Sequence, residues 1–210
     1  HPSRPSGSKG QRPWGDGTGK GGGGERDPRN HTALAHVLPG MIKDRVNRVT
    51  GARVIRTALP AEAPAITTLH TRARATYYPN GTPTDGPDWP TAWRHAIEHP
   101  DTHVLCAAEQ GRITAVASFR TPDGAPADTV HLAQFHVDPV HWRRGTGRAL
   151  HAACVEEWRA DGRRTAGLSV HVDNHRARAF YANLGWAPDP LYPPALGDHH
   201  VLLAFTVTGE

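Results

Sequence analysis

Apolar positions from residue 52 onward repeat with two spacings, one typical of β-strands and one typical of amphipathic helices. The strand-like segments are short apolar-rich runs at 52–58, 103–108, 113–120, 129–137, 165–172, 186–188 and 201–207. The helix-like segments carry apolar residues three and four positions apart, at 60–75, 91–99, 147–161 and 174–184. In chain order these elements predict an α/β domain in which helices flank a mixed sheet.

The first 40 residues differ in composition from the rest of the chain. Gly, Pro, Ser and charged residues dominate them, and almost no side chain there could be buried. Such a segment cannot offset its ordering entropy, so we expect residues 1–40 to form a disordered low-complexity tail and residues 41–210 to form one domain. The first methionine is Met41, shortly before the first predicted strand. A further hypothesis is that the native protein begins near Met41 and does not include the tail.

Most of the excess positive charge lies in that tail. The chain has 24 Lys and Arg against 20 Asp and Glu, a net charge of +4. Residues 1–40 hold 6 basic and 3 acidic residues, a net +3, which leaves 18 and 17, a net +1, for the other 170 residues. A nucleic-acid-binding domain concentrates its basic residues on a folded face. Nucleic acid is therefore not an expected partner.

The two cysteines, Cys106 and Cys154, fall in a predicted strand and a predicted helix. There is no CxxC motif and no closely spaced Cys/His set, so neither a metal site nor a disulfide framework is expected. We expect two buried free thiols in a cytoplasmic protein. No apolar run approaches the ~20 residues that span a bilayer, so no membrane association is expected.

The segment from Gln134 to Leu150, QFHVDPVHWRRGTGRAL, carries the clearest chemical pattern. A strand ends at Pro139, a turn rich in Arg and Gly follows, and a helix opens near Gly147. The first turn of a helix has unpaired N–H groups and the positive end of the helix dipole, and glycine lets a ligand approach the backbone closely. Three arginines add positive charge and bidentate phosphate geometry. The segment predicts a binding site for a polyphosphorylated ligand.

A second segment, LSVHVDNHRARAFYANLGWAP, follows about one helix and one strand later, and together the two resemble the GNAT superfamily of acetyl-CoA-dependent N-acetyltransferases. The resemblance covers about residues 52–207 and implies a mostly antiparallel sheet, acetyl-CoA as co-substrate, no metal, and transfer of an acetyl group to an amine. The matching residues are Val137, Pro139, Arg144, Gly145, Gly147, Arg148, Ala149, Leu150, Asn174, Ala177, Phe180, Tyr181, Leu184, Gly185 and Trp186.

The resemblance also implies how acetyl-CoA is held. Its pantetheine arm would pair with the backbone of Phe135, His136 and Val137, where two sheet strands separate. Asn174 would cap its helix and contact the cofactor. The family has Gln or Arg where this chain has Trp142, so either one side-chain contact to the cofactor is missing or Arg143 supplies it. The pyrophosphate would lie on the backbone amides of Arg143, Arg144, Gly145, Thr146, Gly147 and Arg148.

For catalysis the resemblance implies that Tyr181 is the general acid for the departing thiolate. Some members have a Glu base six residues before the position of Val137, and here that residue is His131. Strict alternation would place His131 on the same face of its strand as Phe135 and Val137. His131 is our candidate general base, since histidine titrates near neutrality. Water is the alternative, and further candidates are His136 and His171.

The acceptor would approach over the first two helices, where aromatic and polar side chains are frequent. Arg72 could bind a carboxylate there, although a solvated helix face explains it equally well. We expect a small-molecule amine rather than a protein N-terminus. The alternative is a CoA-binding sensor or interaction module with little turnover, because the two positions where family members have a Glu base are His131 and Ser169 here. The sequence also leaves a homodimer open. The residues at this entrance are His70, Arg72, Tyr77, Tyr78, Trp89 and Trp93.

Overall fold

Within the described residues, eight strands form one sheet in the order β1-β2-β3-β4-β5-β6-β8-β7. The computed structural model describes residues 48–50, 53–78, 86–195 and 197–207. The strands are β1 Arg48–Thr50, β2 Arg53–Thr57, β3 Thr102–Glu109, β4 Arg112–Arg120, β5 Thr129–Val137, β6 Thr165–His171, β7 Ala187–Pro188 and β8 His200–Thr206. The helices are α1 Ala63–Arg74, α2 Trp89–Glu98, α3 Thr146–Ala160 and α4 His175–Ala182, with 3-10 turns at Pro60–Glu62 and Pro139–His141.

Each face of the sheet is covered by its own hydrophobic core. Helices α1 and α2 pack on one face against Val104, Cys106 and Val116. Helix α3 covers the other face, where Leu150 and Trp158 pack against alternate residues of the same strands. The middle strands are apolar on both faces because both faces are covered, which explains their continuous apolar runs in the sequence.

Strands β5 and β6 separate soon after they begin. They form the one parallel pair in the described sheet, and their register covers only Thr129, Val130 and His131 opposite Thr165, Ala166 and Gly167. Beyond these rows β5 is still paired with β4 on its other side, and β6 with β8. The sheet therefore opens into a wedge between the carboxyl halves of β5 and β6.

A bulge at Ala133 changes which side chains of β5 share a face. Ser118 of β4 pairs with Gln134 and its neighbour Phe119 pairs with Leu132, so Ala133 is an extra residue without a partner in the ladder. As a result Leu132 and Phe135 pack on the same core. The expectation that His131 shares the face of Phe135 and Val137 is therefore wrong, because the bulge interrupts the alternation between them.

The fold class expected from the sequence is confirmed, and element bounds agree to within a few residues. Helix α2 begins at Trp89 rather than residue 91 because Pro90 fits the first turn of a helix. Strand β1 was not predicted, since three residues carry too little periodicity. Cys106 and Cys154 are free and buried as expected. The predicted 1–40 tail lies outside the described residues.

In the part of the chain that the structure describes, no helix combines the length and the apolar character needed to cross a membrane.

Helix α3 carries a histidine whose side chain is buried in the core. His151 is 4% exposed, and its Nε2 accepts a hydrogen bond from Trp186 Nε1 at 2.9 Å. Burial lowers the pKa of His151 from 6.5 to about 4. The imidazole is therefore neutral in the folded protein at pH values where it is protonated in the unfolded chain.

We expect the free energy of unfolding to fall as pH decreases from about 6.5 to about 4, because the unfolded chain binds a proton at His151 that the folded protein does not. Other buried histidines add to this trend, so the test compares variants. His151→Gln keeps a hydrogen-bond acceptor for Trp186 and should flatten the dependence measured by urea unfolding between pH 4.5 and 7. His95→Gln, at an exposed position, is the control. Parallel profiles for wild type and His151→Gln would contradict the prediction.

Candidate active site

A cavity of about 360 Å³ lies where β5 and β6 separate. It reaches both faces of the sheet, because its walls include Ala73, Thr76 and Tyr77 from the α1 side and Phe180 from the α4 side. Most of the residues predicted to bind the cofactor line it together with the predicted acid, namely Phe135, His136, Val137, Arg143, Gly145, Thr146, Gly147, Arg148, Asn174 and Tyr181. Arg144 and His131 do not line it.

The loop between β5 and α3 has two residues with left-handed backbone geometry. Arg143 has φ 60° and Gly145 has φ 78°, so the chain turns sharply just before α3. Gly145 is the N-cap of α3, and no side chain caps it. The first N–H groups of α3 therefore remain available beside the cavity, where the helix dipole favours an anion.

The two loop glycines meet different constraints within the protein, close packing at Gly147 and a positive φ at Gly145. A Cβ at Gly147 would lie 3.3 Å from the side chains of Phe180 and Val137. At Gly145 it would lie 3.9 Å from Arg53 Nη1, and the positive φ already favours glycine. Gly147 therefore lets α3 approach β5 and α4, and Gly145 permits the turn.

Trp142, which stands where the family has Gln or Arg, contacts both β5 and α4. Its Nε1 donates a hydrogen bond to the Val137 carbonyl at 3.0 Å. The Arg176 guanidinium lies 4.0 Å from the centre of the Trp142 ring, a cation–π contact. Arg176 lines the cavity and was not among the sequence-predicted residues. Its place in the first turn of α4, two residues after Asn174, was the signal that could have found it.

Tyr181 lies deep in the cavity wall on α4. It is 6% exposed, and its ring packs against Phe135, Phe180 and Trp186 with centroid distances of 6.2, 5.4 and 5.7 Å. Burial raises the pKa of the Tyr181 hydroxyl far above its ordinary value of 10. The phenol therefore keeps its proton at neutral pH and can donate a hydrogen bond into the cavity.

His136 is the histidine of β5 that reaches the cavity. Its Nε2 lies 2.8 Å from Gln134 Oε1, so Nε2 donates to the amide oxygen and Nδ1 carries the lone pair. The ring stacks on His70 at 4.3 Å. Burial, followed by the charges of His70 and Arg74, lowers the pKa of His136 well below 6.5. His136 is thus a neutral imidazole in the cavity wall.

The other two candidate bases lie elsewhere. His131 is paired with Arg120 and Gly167 at the closed end of the wedge, and burial lowers its pKa to about 4. His171 ends β6 and packs against Tyr77 and Tyr78, with centroid distances of 6.1 and 5.2 Å. Neither histidine lines the cavity.

Several residues expected at the acceptor entrance are instead engaged in internal contacts. His70 is 1% exposed, and its Nδ1 accepts a hydrogen bond from Trp93 Nε1 at 3.0 Å. Trp89 lies against the same imidazole at 4.1 Å. Arg72 pairs with Asp138 at 2.8 Å, so its carboxylate partner is part of the protein. Of the predicted cluster, Tyr77 lines the cavity.

The family model of the GNAT acetyltransferases matches residues 66–186, which include β3 to β6, the loop and α4. The chain belongs to the GNAT acetyltransferase family. This GNAT protein is therefore an acetyltransferase by family, and the segment matched contains the whole cavity wall from α1 to Asn183.

Solved structures agree with this fold. The ribosomal-protein-S18-alanine N-acetyltransferase of Escherichia coli is 21% identical, with a TM-score of 0.58 over 75% of this chain and 96% of its own. PaiA N-acetyltransferase of Thermoplasma acidophilum, solved with coenzyme A, is 12% identical with a TM-score of 0.61, covering 74% and 99%. The yncA protein of Salmonella typhimurium, solved with acetyl-CoA, is 24% identical with a TM-score of 0.58, covering 76% and 96%. Among the curated proteins, none matches this sequence.

Asn174 caps α4, since its Oδ1 accepts a hydrogen bond from the Ala177 N–H at 3.1 Å. We expect Asn174→Ala to lower the free energy of unfolding by about 1 kcal/mol, because an N-cap acceptor is lost, and Asn174→Ser to restore it. Urea unfolding measures both. Asn183→Ala, an exposed position at the other end of α4, is the matched control. Equal losses at the two positions would show that the cap does not stabilise the helix.

Proposed function

We propose that this GNAT protein transfers the acetyl group of acetyl-CoA to the primary amine of a small molecule, by direct attack of the amine within a ternary complex. The observation that carries the proposal is the cavity itself, which joins the opened sheet edge, the uncapped start of α3 and the buried hydroxyl of Tyr181. These three features provide a strand-like partner, an anion site and a proton donor at one place.

The residues present fit the proposed co-substrate. Beyond His131 the β6-facing edge of β5 has no strand partner. The Asp138 N–H bonds to the Thr114 carbonyl next to β4, so strand alternation turns the backbone groups of Phe135 toward the open edge, where they can pair with the amide-containing pantetheine arm. The N–H groups at the start of α3, with Arg143, Arg148 and Arg176 nearby, fit its pyrophosphate. The structures of PaiA with coenzyme A and of yncA with acetyl-CoA support this assignment by likeness of fold.

The amine acceptor is proposed to approach from the face of the sheet that α1 covers, opposite the face that carries the cationic loop. The α3 and α4 side of the cavity carries the cationic loop, whereas the α1 side carries Thr76 and Tyr77, beside His136 of β5. Donor and acceptor would thus meet in the opening between β5 and β6. A cavity of about 360 Å³ shared by both substrates favours a small acceptor.

Acetyl-CoA supplies the thioester carbon that the amine nitrogen attacks and the thiolate that leaves when the carbon–sulfur bond breaks. Tyr181 donates its hydroxyl hydrogen toward that sulfur as negative charge develops on it. Burial keeps the phenol protonated before the reaction, which this role requires.

His136 is proposed to accept the proton that the amine loses. Its Nδ1 carries the lone pair, because Nε2 is bonded to Gln134, and its lowered pKa keeps it neutral across the physiological range. The sequence's first candidate, His131, has the same chemistry but lies outside the cavity wall. We therefore favour His136, and water in contact with it, over His131.

Tyr181→Phe is expected to lower kcat by about a hundred- to ten-thousandfold while CoA binding is retained, because a proton donor is lost without loss of ring packing. The assay follows thiol release from acetyl-CoA with a panel of amines, and calorimetry measures CoA affinity. Tyr192→Phe, outside the cavity wall, is the control. Wild-type turnover by Tyr181→Phe would exclude the acid role. CoA binding without acetylation of any amine would instead favour the sensor alternative.

His136→Gln is expected to lower kcat/KM by about a hundredfold or more, because the proton acceptor is removed. In the wild-type protein, kcat/KM against pH should show no midpoint near 6.5 from this histidine, since its pKa is well below that value. The observed midpoint should instead move with the pKa of the amine, which two amines of different basicity would show. His131→Gln tests the alternative base. A large loss of kcat/KM in His131→Gln, with little loss in His136→Gln, would assign the base to His131.

A further inference from the structure

A partly buried ion pair connects the loop that precedes α3 to strands β2 and β3. Arg53 on β2 and Glu109 on β3 are direct partners in the antiparallel ladder. Their side chains meet at 2.7 Å between Nε and Oε1, and are 14% and 21% exposed. In the sheet order β3 and β2 lie two and three strands away from β5, yet the charged groups of the pair reach the loop that follows β5.

Two bonds connect the pair to the loop. Arg53 Nη2 donates to the Arg144 carbonyl at 2.9 Å, joining residues 91 positions apart. Thr146, which is 1% exposed, directs its hydroxyl to Glu109 Oε1 at 3.5 Å. Arg53 thus binds the Glu109 carboxylate through Nε and the Arg144 carbonyl through Nη2. Glu109 in turn contacts Thr146, the first residue of α3.

The pair holds the backbone of the loop before α3 without capping the helix. Gly145 has no side chain to cap the helix, and Arg143 and Gly145 both hold left-handed geometry. A loop of this kind has several accessible conformations unless something holds it. Binding of the Arg144 carbonyl by Arg53 turns that oxygen toward β2, and Arg144 does not line the cavity. The following N–H groups are left for the cavity side.

The pair also sets the local charge. A carboxylate behind an anion site opposes anion binding, and Glu109 lies directly behind this one. Arg53 compensates it at 2.7 Å. Loss of Arg53 would therefore have two effects, a less ordered loop and an uncompensated negative charge beside the pyrophosphate.

We propose that Arg53 and Glu109 are positioning residues for the pyrophosphate of CoA, holding the 143–148 loop in its anion-binding form without touching the ligand. The inference rests on the proposed function, since it takes CoA as the ligand of the loop. Neither residue belongs to the two segments that pointed to the family, and the connection exists only through the pairing of β2 with β3.

The experiment measures binding of CoA and of dephospho-CoA, which keeps the pyrophosphate and lacks the 3′-phosphate, by titration calorimetry. Arg53→Ala should weaken both ligands equally, by about tenfold, the equivalent of one lost charge-assisted hydrogen bond. Arg53→Lys should recover only part of the loss, because a lysine can compensate Glu109 or reach Arg144 but cannot fork between them. The double variant Arg53→Ala/Glu109→Gln should recover the part that comes from the uncompensated carboxylate.

Arg56→Ala is the matched control, because Arg56 lies on the same strand and pairs with Glu62 at 2.6 Å, away from the loop. It should leave both affinities unchanged. Amide spectra labelled with ¹⁵N should show that the changes caused by Arg53→Ala are centred on residues 143–148.

Three results would overturn the proposal: unchanged affinity in Arg53→Ala, a loss seen with CoA but not with dephospho-CoA, or no recovery in the double variant. Failure of the wild-type protein to bind either ligand would instead overturn the proposed function, so the two failures are distinguishable.

Discussion

The site depends on the early separation of β5 from β6. Two strands that stay paired leave no room between them, and here the parallel ladder ends after three rows. The bulge at Ala133 contributes, because an extra residue bends the strand that carries it. Beyond that point the backbone of β5 has a free edge, and backbone groups without a strand partner are the ones that a strand-like ligand can satisfy. The opening therefore forms the cavity and leaves the backbone edge of β5 facing it.

The opening also connects two environments that the sheet otherwise separates. On one side α3 begins with uncapped N–H groups among arginines, and on the other α1 and α2 surround neutral, buried imidazoles. An anionic group can thus lie on the α3 side of the sheet and a neutral group on the α1 side, with the opening between them. The division follows from having a helical layer on each face, since each layer supplies its own side chains to the gap.

Several contacts between neighbouring elements surround the opening. Gly147 lets α3 lie against Val137 and Phe180, and Trp142 bonds to the Val137 carbonyl. Arg72 holds Asp138 at the end of β5. Because these contacts meet at the carboxyl end of β5, a loop with left-handed geometry keeps one conformation.

The sequence by itself determined the fold class and nearly all helices and strands, and it pointed to the Arg/Gly loop and Tyr181, which line the cavity, because periodicity, turn residues and spaced motifs are local properties of the chain. Tertiary structure decided the rest. The bulge at Ala133 places His131 and Phe135 on different faces of β5, and strand alternation in the sequence cannot reveal a bulge. The support of the loop by Arg53 depends on which strands are neighbours, so residues 91 positions apart meet only when the sheet has formed.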